Sequence, residues 1–207
     1  MSPKEPATPT APPEGAAALL REATRERHAA VEARLDLAEL LASPAGYAAL
    51  LGYFAASLAP VEAWVAAHPR ADALPAGLFR PGTPLLRDDL RALGADAAAP
   101  AADPLFLLDG PTEAHLLGVL YVLEGSALGG LTIAKQARRA LGTTATTGAS
   151  FFLRNAADPL GPWNAFKQRL NARVRTAADR DAAVAAARAA FDQFLRQPAP
   201  SARPLPC

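Results

Sequence analysis

The segment between Thr112 and Gly142 limits the possible folds of this chain more than any other. Thr112 can cap a helix and Gly142 can end one, so a long helix over residues 113–141 is predicted. Glycines at 118, 125, 129 and 130 interrupt it. Each costs roughly 1 kcal/mol relative to alanine in a helix interior, so something must offset the cluster at Gly125, Gly129 and Gly130. Missing side chains let the backbone approach a flat object, and a weakened helix can kink and expose carbonyls. Close helix-helix packing or a plain break would use the same residues, and spacing alone leaves both readings open.

The rest of the chain also reads as helix. Aromatics make up 6% of the sequence, alanine inflates a hydrophobic share of 51%, and few segments are rich in β-branched residues. Residues 16–35 lack proline and glycine. Ser43-Pro44 is a cap followed by proline at the first helical position, opening a helix to about residue 68. Thr83-Pro84 repeats that signature and opens a short helix ended by Gly94. Residues 95–111 read as loop. Pro162 opens a helix to about residue 178, and Asp179 or Asp181 starts the last, which ends near residue 197. No internal repeat and no sheet-sized block of alternating residues occurs. The expected fold class is all-α, one helical domain over residues 16–197 with proline-rich disordered tails at 1–15 and 198–207.

Charge and cysteine content exclude several functions. Lys plus Arg number 21 against 20 Asp plus Glu, a net charge of +1, so no global field favours nucleic acid or an anionic membrane. The single cysteine, Cys207, rules out an intrachain disulfide and a thiolate metal cluster. The first fifteen residues hold five prolines and no apolar core of a signal peptide, and no uninterrupted apolar run approaches the ~20 residues of a membrane span. A soluble, cytoplasmic protein is expected.

Of three histidines, only His28 sits where a ligand is plausible. Thr24, His28, Val31 and Leu35 share one helix face, which points His28 toward the core. Glu32, four residues on, can accept the proton of one imidazole nitrogen and leave the other free for a metal. Arg21 and Arg25 lie in the same sector, where two guanidinium groups suit a dicarboxylate. A packed core histidine beside solvated arginines paired with Glu22, Glu26 or Glu32 is the plainer alternative.

Taken together, these residues resemble a family. Leu20-Arg-Glu-Ala-Thr-Arg-Glu-Arg-His28 with Glu32 is similar to the proximal helix of haem oxygenases. Tyr121-Val-Leu-Glu-Gly-Ser-Ala-Leu-Gly-Gly130 is similar to their glycine-rich distal helix, above all in the bacterial biliverdin-producing branch associated with bacteriophytochromes. Phe151-Phe152, Gly161, Trp163 and Phe166 resemble a later segment of the same family, so the match runs in order from about residue 20 to 171. The resemblance implies a single helical bundle with haem between the first helix and the kinked glycine-rich one. It implies His28 as iron ligand, Glu32 as its orienting partner, and Arg21, Arg25 and Lys167 near the propionates. Gly125, Gly129 and Gly130 would cover the distal face, with water held near Ser126. It further implies haem as both substrate and cofactor, O2, an external ferredoxin or flavoprotein reductase, and cleavage to biliverdin, CO and iron, with a phytochrome as recipient.

The chain departs from the family pattern at Ser126, where many members carry aspartate, at Leu131, where glutamine is common, and at Arg154-Asn155, where Tyr-Gly is common. A hydroxyl can hold water but cannot act as a carboxylate. A non-catalytic haem carrier or sensor on the same fold is therefore the main alternative. A di-metal carboxylate bundle would need Glu-x-x-His pairs, and Glu113 and His115 are only two apart. A structural helical adaptor remains the third reading.

Overall fold

The computed structural model describes residues 15–71, 74–75, 78–95, 108 and 111–202, and all regular elements among them are helices. In chain order they are α1 (Ala16–Glu32), α2 (Leu37–Leu40), α3 (Pro44–Ala67), α4 (Thr83–Ala92), α5 (Glu113–Leu141), α6 (Ser150–Leu153), α7 (Gly161–Arg173) and α8 (Ala177–Arg196). Most of the expected 95–111 loop and of both expected tails lies outside the described residues. Residues 198–202 are non-helical, and Ala202 lies against Gly46 of α3.

Several helix ends follow local chemistry. Ser43 accepts the Gly46 N–H at 3.1 Å with Pro44 at the first helical position. Thr112 and His115 form a reciprocal capping box, and Gly142 closes α5 with φ of 71°. α5 continues as one helix through its four internal glycines.

Other ends differ from expectation, each for a reason. Thr83 is the first residue of α4 and does not cap it; its hydroxyl is buried without a hydrogen-bond partner. The cap comes from Glu62 of α3, whose carboxylate accepts the Gly82 and Thr83 N–H groups at 2.6 and 3.0 Å. A carboxylate satisfies two orphan donors where the threonine hydroxyl could serve one. Asp89 of α4 does the same for α6, accepting the Ser150 and Phe151 N–H groups at 2.8 and 2.9 Å. α7 stops at Arg173, short of residue 178, because Val174 is buried and Thr176 caps α8, with Asp179 as the third residue of a capping box.

α5 is the central element. It packs along α8 and also against α3, α6 and α7, while α8 covers α1. Gly118 is where α5 and α8 come closest, since a Cβ there would land on the Ala183 carbonyl oxygen. That glycine serves helix-helix contact. α3 and α5 are long and apolar enough to cross a membrane by length and composition, which corrects the expectation of no such stretch. Half of each apolar window is buried in the bundle, as core helices are. α1 and α5 touch over only a short stretch, and the site lies between them.

Candidate functional site

A cavity of about 620 Å3 opens between α1 and α5, with α8, α7, α3 and α6 contributing aromatic walls. That volume lies in the ordinary range for small-molecule and cofactor sites. Thr24, His28, Val31 and Leu35, the face read from the sequence, all line it, so helical periodicity did place one stripe on the site.

His28 itself is not packed in the core as the stripe predicts. Its side chain is 59% exposed and stands at the cavity wall, edge-on to Phe191 of α8 with ring centroids 5.8 Å apart. The stripe points at an open cavity, and an apolar face pattern is the same for a cavity as for a core. Nδ1 of His28 lies 3.4 Å from Glu32 Oε2, the expected carboxylate pairing, which leaves Nε2 as the available donor. The other two histidines have structural work. His115 completes the α5 cap, and His68 is buried beneath Trp64, accepting the Arg70 N–H.

Arg21 and Arg25 line the cavity as expected. Arg25 also pairs with Glu22 at 2.9 Å on the exposed side of α1, whereas Arg21 has no carboxylate within ion-pair distance among the described residues. Lys167 is the member of the expected set that does not line the cavity. Its Nζ sits 5.6 Å from the centroid of the Trp163 ring, and Trp163 forms the wall.

The α5 glycines divide. Gly125, Gly129 and Gly130 line the cavity. A Cβ on Gly129 would meet nothing within 4 Å, and one on Gly125 would only touch Trp163 at 3.6 Å. A Cβ on Gly130 would press on Phe152 at 3.2 Å, so Gly130 also permits α6 to pack. Ser126 lines the cavity; its hydroxyl donates to the Leu123 carbonyl at 2.7 Å and accepts from Arg154 at 3.1 Å.

Sequence reasoning named Tyr121, Phe152, Trp163 and Phe166 only through the resemblance and did not bring them together as an aromatic frame. Tyr121 packs on Trp163 at 5.5 Å, and Trp163 stacks on Phe166 at 5.8 Å. Burial raises the Tyr121 hydroxyl pKa, and contact with Thr24 and the Arg21 charge opposes the rise. Phe54, Phe152, Phe191 and Phe194 come from three further helices and α3, α6 and α8 bring them together only in the folded chain. Trp163 was visible in the sequence through the resemblance; the phenylalanines of α3 and α8 carried no local signal.

An imidazole backed by a carboxylate, two guanidinium groups beside it, aromatic walls and helix positions without side chains at Gly125 and Gly129 suit a flat, apolar, dianionic metallocycle. The class so defined is an all-helical cofactor-pocket protein. Comparison narrows it. The "Heme oxygenase" family model matches residues 107–197, which include α5 to α8 but not α1. A haem oxygenase of Xanthomonas campestris pv. campestris (strain 8004) is 39% identical over 126 residues, 61% of this chain and 72% of that protein. The fold matches the NO- and CO-bound haem oxygenase from Neisseria meningitidis with a TM-score of 0.68 at 22% identity, covering 88% of this chain and 89% of that one. The chain belongs to the haem oxygenase family, whose members are haem-binding oxidoreductases.

Proposed function

We propose that this chain binds haem through His28 and opens its macrocycle oxidatively. The observation that carries the reading is the placement of the His28-Glu32 pair and of Gly125 and Gly129, which leave room beside the α5 backbone, on one largely apolar cavity. When bound, haem supplies the oxidation chemistry with O2 and electrons from a separate ferredoxin or flavoprotein reductase, yielding biliverdin, CO and iron.

The protein's share is position and polarity. Glu32 orients the His28 ring and keeps Nε2 as donor. Arg21 and Arg25 offer forked donors to the two propionates, with Lys167 acting through Trp163. Gly125, Gly129 and Gly130 would let the α5 backbone come close to haem, and Ser126 would supply a hydroxyl on that helix. The aromatic walls exclude bulk water. The bacterial branch with biliverdin passed to a phytochrome belongs to the same proposal, with the sequence likeness of residues 121–130 as its support, and so does a cytoplasmic location.

A non-catalytic haem carrier or sensor is the second reading, favoured by one observation: among the described residues Glu32 is the only carboxylate lining the cavity, and none comes from α5. Purified protein loaded with haem and given reductant under air separates the two. Turnover converts the haem band to a green biliverdin spectrum. A persistent haem spectrum supports the carrier, and failure to bind haem removes both.

A further inference from the structure

Behind the glycine-rich stretch of α5 lies a second cavity of about 10 Å3, lined by Glu62, Arg80, Glu124, Arg154 and Ser126 with apolar neighbours. A site of this size and polarity has room for about one water. Among the described residues, Ser126 is the only one that lines both this cavity and the large one. Its hydroxyl is held in place by the 3.1 Å bond from Arg154. Arg154 in turn is fixed by a 2.9 Å bond to the Phe151 carbonyl and by stacking over the Phe151 ring at 4.2 Å.

Glu124 is two residues before Ser126 on α5. The charged groups around it are Arg154 at the end of α6, Arg80 before α4, and Glu62 on α3, whose carboxylate is already committed to the Gly82 and Thr83 N–H groups. None of these groups lines the large cavity beside His28.

Resting on the haem oxygenase reading above, we infer that Glu124, Arg154 and Ser126 form a proton path that enters the large cavity from behind α5, with a water in the small cavity as the bridge. The Glu124 O–H bond breaks as the water takes its proton. The water passes one of its own protons to Ser126 Oγ, and the Ser126 hydroxyl turns from the Leu123 carbonyl, which it donates to at 2.7 Å in the resting protein, and gives up its proton to an acceptor in the large cavity. No electrons move. The Glu124 carboxylate left behind is stabilised by Arg154 and Arg80 and regains a proton from solvent. Burial pushes the Glu124 carboxyl up to about 7, against the opposing pull of Arg154 and Arg80, which suits a group that must both release and recover a proton near neutrality. The path also accounts for serine in place of aspartate: the carboxyl lies one step further back.

The test uses the full chain, with Glu124→Gln, Glu124→Asp and Ser126→Ala. Infrared titration of the haem-free protein should show a protonated carboxyl titrating near neutral pH in wild type and Ser126→Ala, and none in Glu124→Gln. With haem loaded and ascorbate as donor under air, Glu124→Gln and Ser126→Ala should each lose about 10²-fold in single-turnover rate, the low end for a positioned proton donor. Glu124→Gln should also lose the pH dependence near neutrality, Glu124→Asp should restore part of the rate, and the haem absorption spectrum should stay that of wild type. A wild-type rate and pH profile in Glu124→Gln, or no carboxyl titrating near neutrality in wild type, would overturn the path while leaving haem turnover standing. Failure of the wild-type protein to bind haem would overturn the functional reading and the path with it.

Discussion

The Arg154 guanidinium donates a 3.1 Å hydrogen bond to the Ser126 hydroxyl, joining two positions 28 residues apart that the sequence resemblance singles out as departures. The two departures are therefore one arrangement. Ser126→Ala leaves a half-buried guanidinium N–H without its acceptor and should cost about 1 kcal/mol in chemical denaturation. Ser126→Thr, which keeps the hydroxyl, should lie closer to wild type.

Two glycines of the same helix should respond to alanine with opposite signs. Gly129 has open space around a Cβ, so Gly129→Ala should stabilise the fold by about 1 kcal/mol through helix propensity. In Gly118→Ala the new methyl meets the Ala183 backbone, and α5 and α8 must separate at a cost of about 1–3 kcal/mol. Denaturation midpoints of the two variants check this directly. Gly129→Leu should fold yet bind haem at least 10-fold more weakly, because its side chain fills the cavity.

Asp89 is 2% exposed and holds the start of α6 through the Ser150 and Phe151 N–H groups. Asn has one acceptor oxygen for these two donors, and its amide opposes the second. Asp89→Asn should cost about 2–3 kcal/mol, the value of a hydrogen bond to a charged group, and should disturb the Phe151-Phe152-Arg154 segment. Thermal unfolding measures the first effect, and near-ultraviolet dichroism of the aromatics reports the second.

Glu113 is held by Arg173 through a pair of hydrogen bonds at 2.9 and 2.6 Å, with Arg169 and Arg70 nearby. Arg173 draws its carboxyl below the usual range, more than partial burial raises it. A depressed carboxyl contributes stability that is present above its unfolded value and is lost as pH falls through the folded one. Glu113→Gln should therefore be less stable than wild type by about 1 kcal/mol at neutral pH, as a networked surface pair allows, and the difference should vanish in acid. A difference independent of pH would contradict this.

Much of the fold was legible because helix ends are written locally. The Ser43-Pro44 and Thr112 caps and Gly142 closed α3 and α5 where the sequence placed them. Thr83 misled because its competitor, Glu62, lies 21 residues away and reaches it only in the folded chain. α2 and α6 span four residues each, too few for periodicity to register. At the site, the stripe around His28 was readable, but whether it faced a core or a cavity depended on α5 and α8, far along the chain. The bond between Ser126 and Arg154 and the wall built from Phe54, Phe191 and Phe194 are non-local in the same way.

The central claim is that His28 ligates haem iron, and the absorption spectrum of haem-loaded His28→Ala beside wild type tests it most directly. More than half of the His28 side chain is exposed, so the variant should fold. The account predicts a shifted, weakened haem band, affinity reduced at least 10-fold, and recovery of the band with added imidazole. A variant whose haem spectrum and affinity match wild type would contradict it.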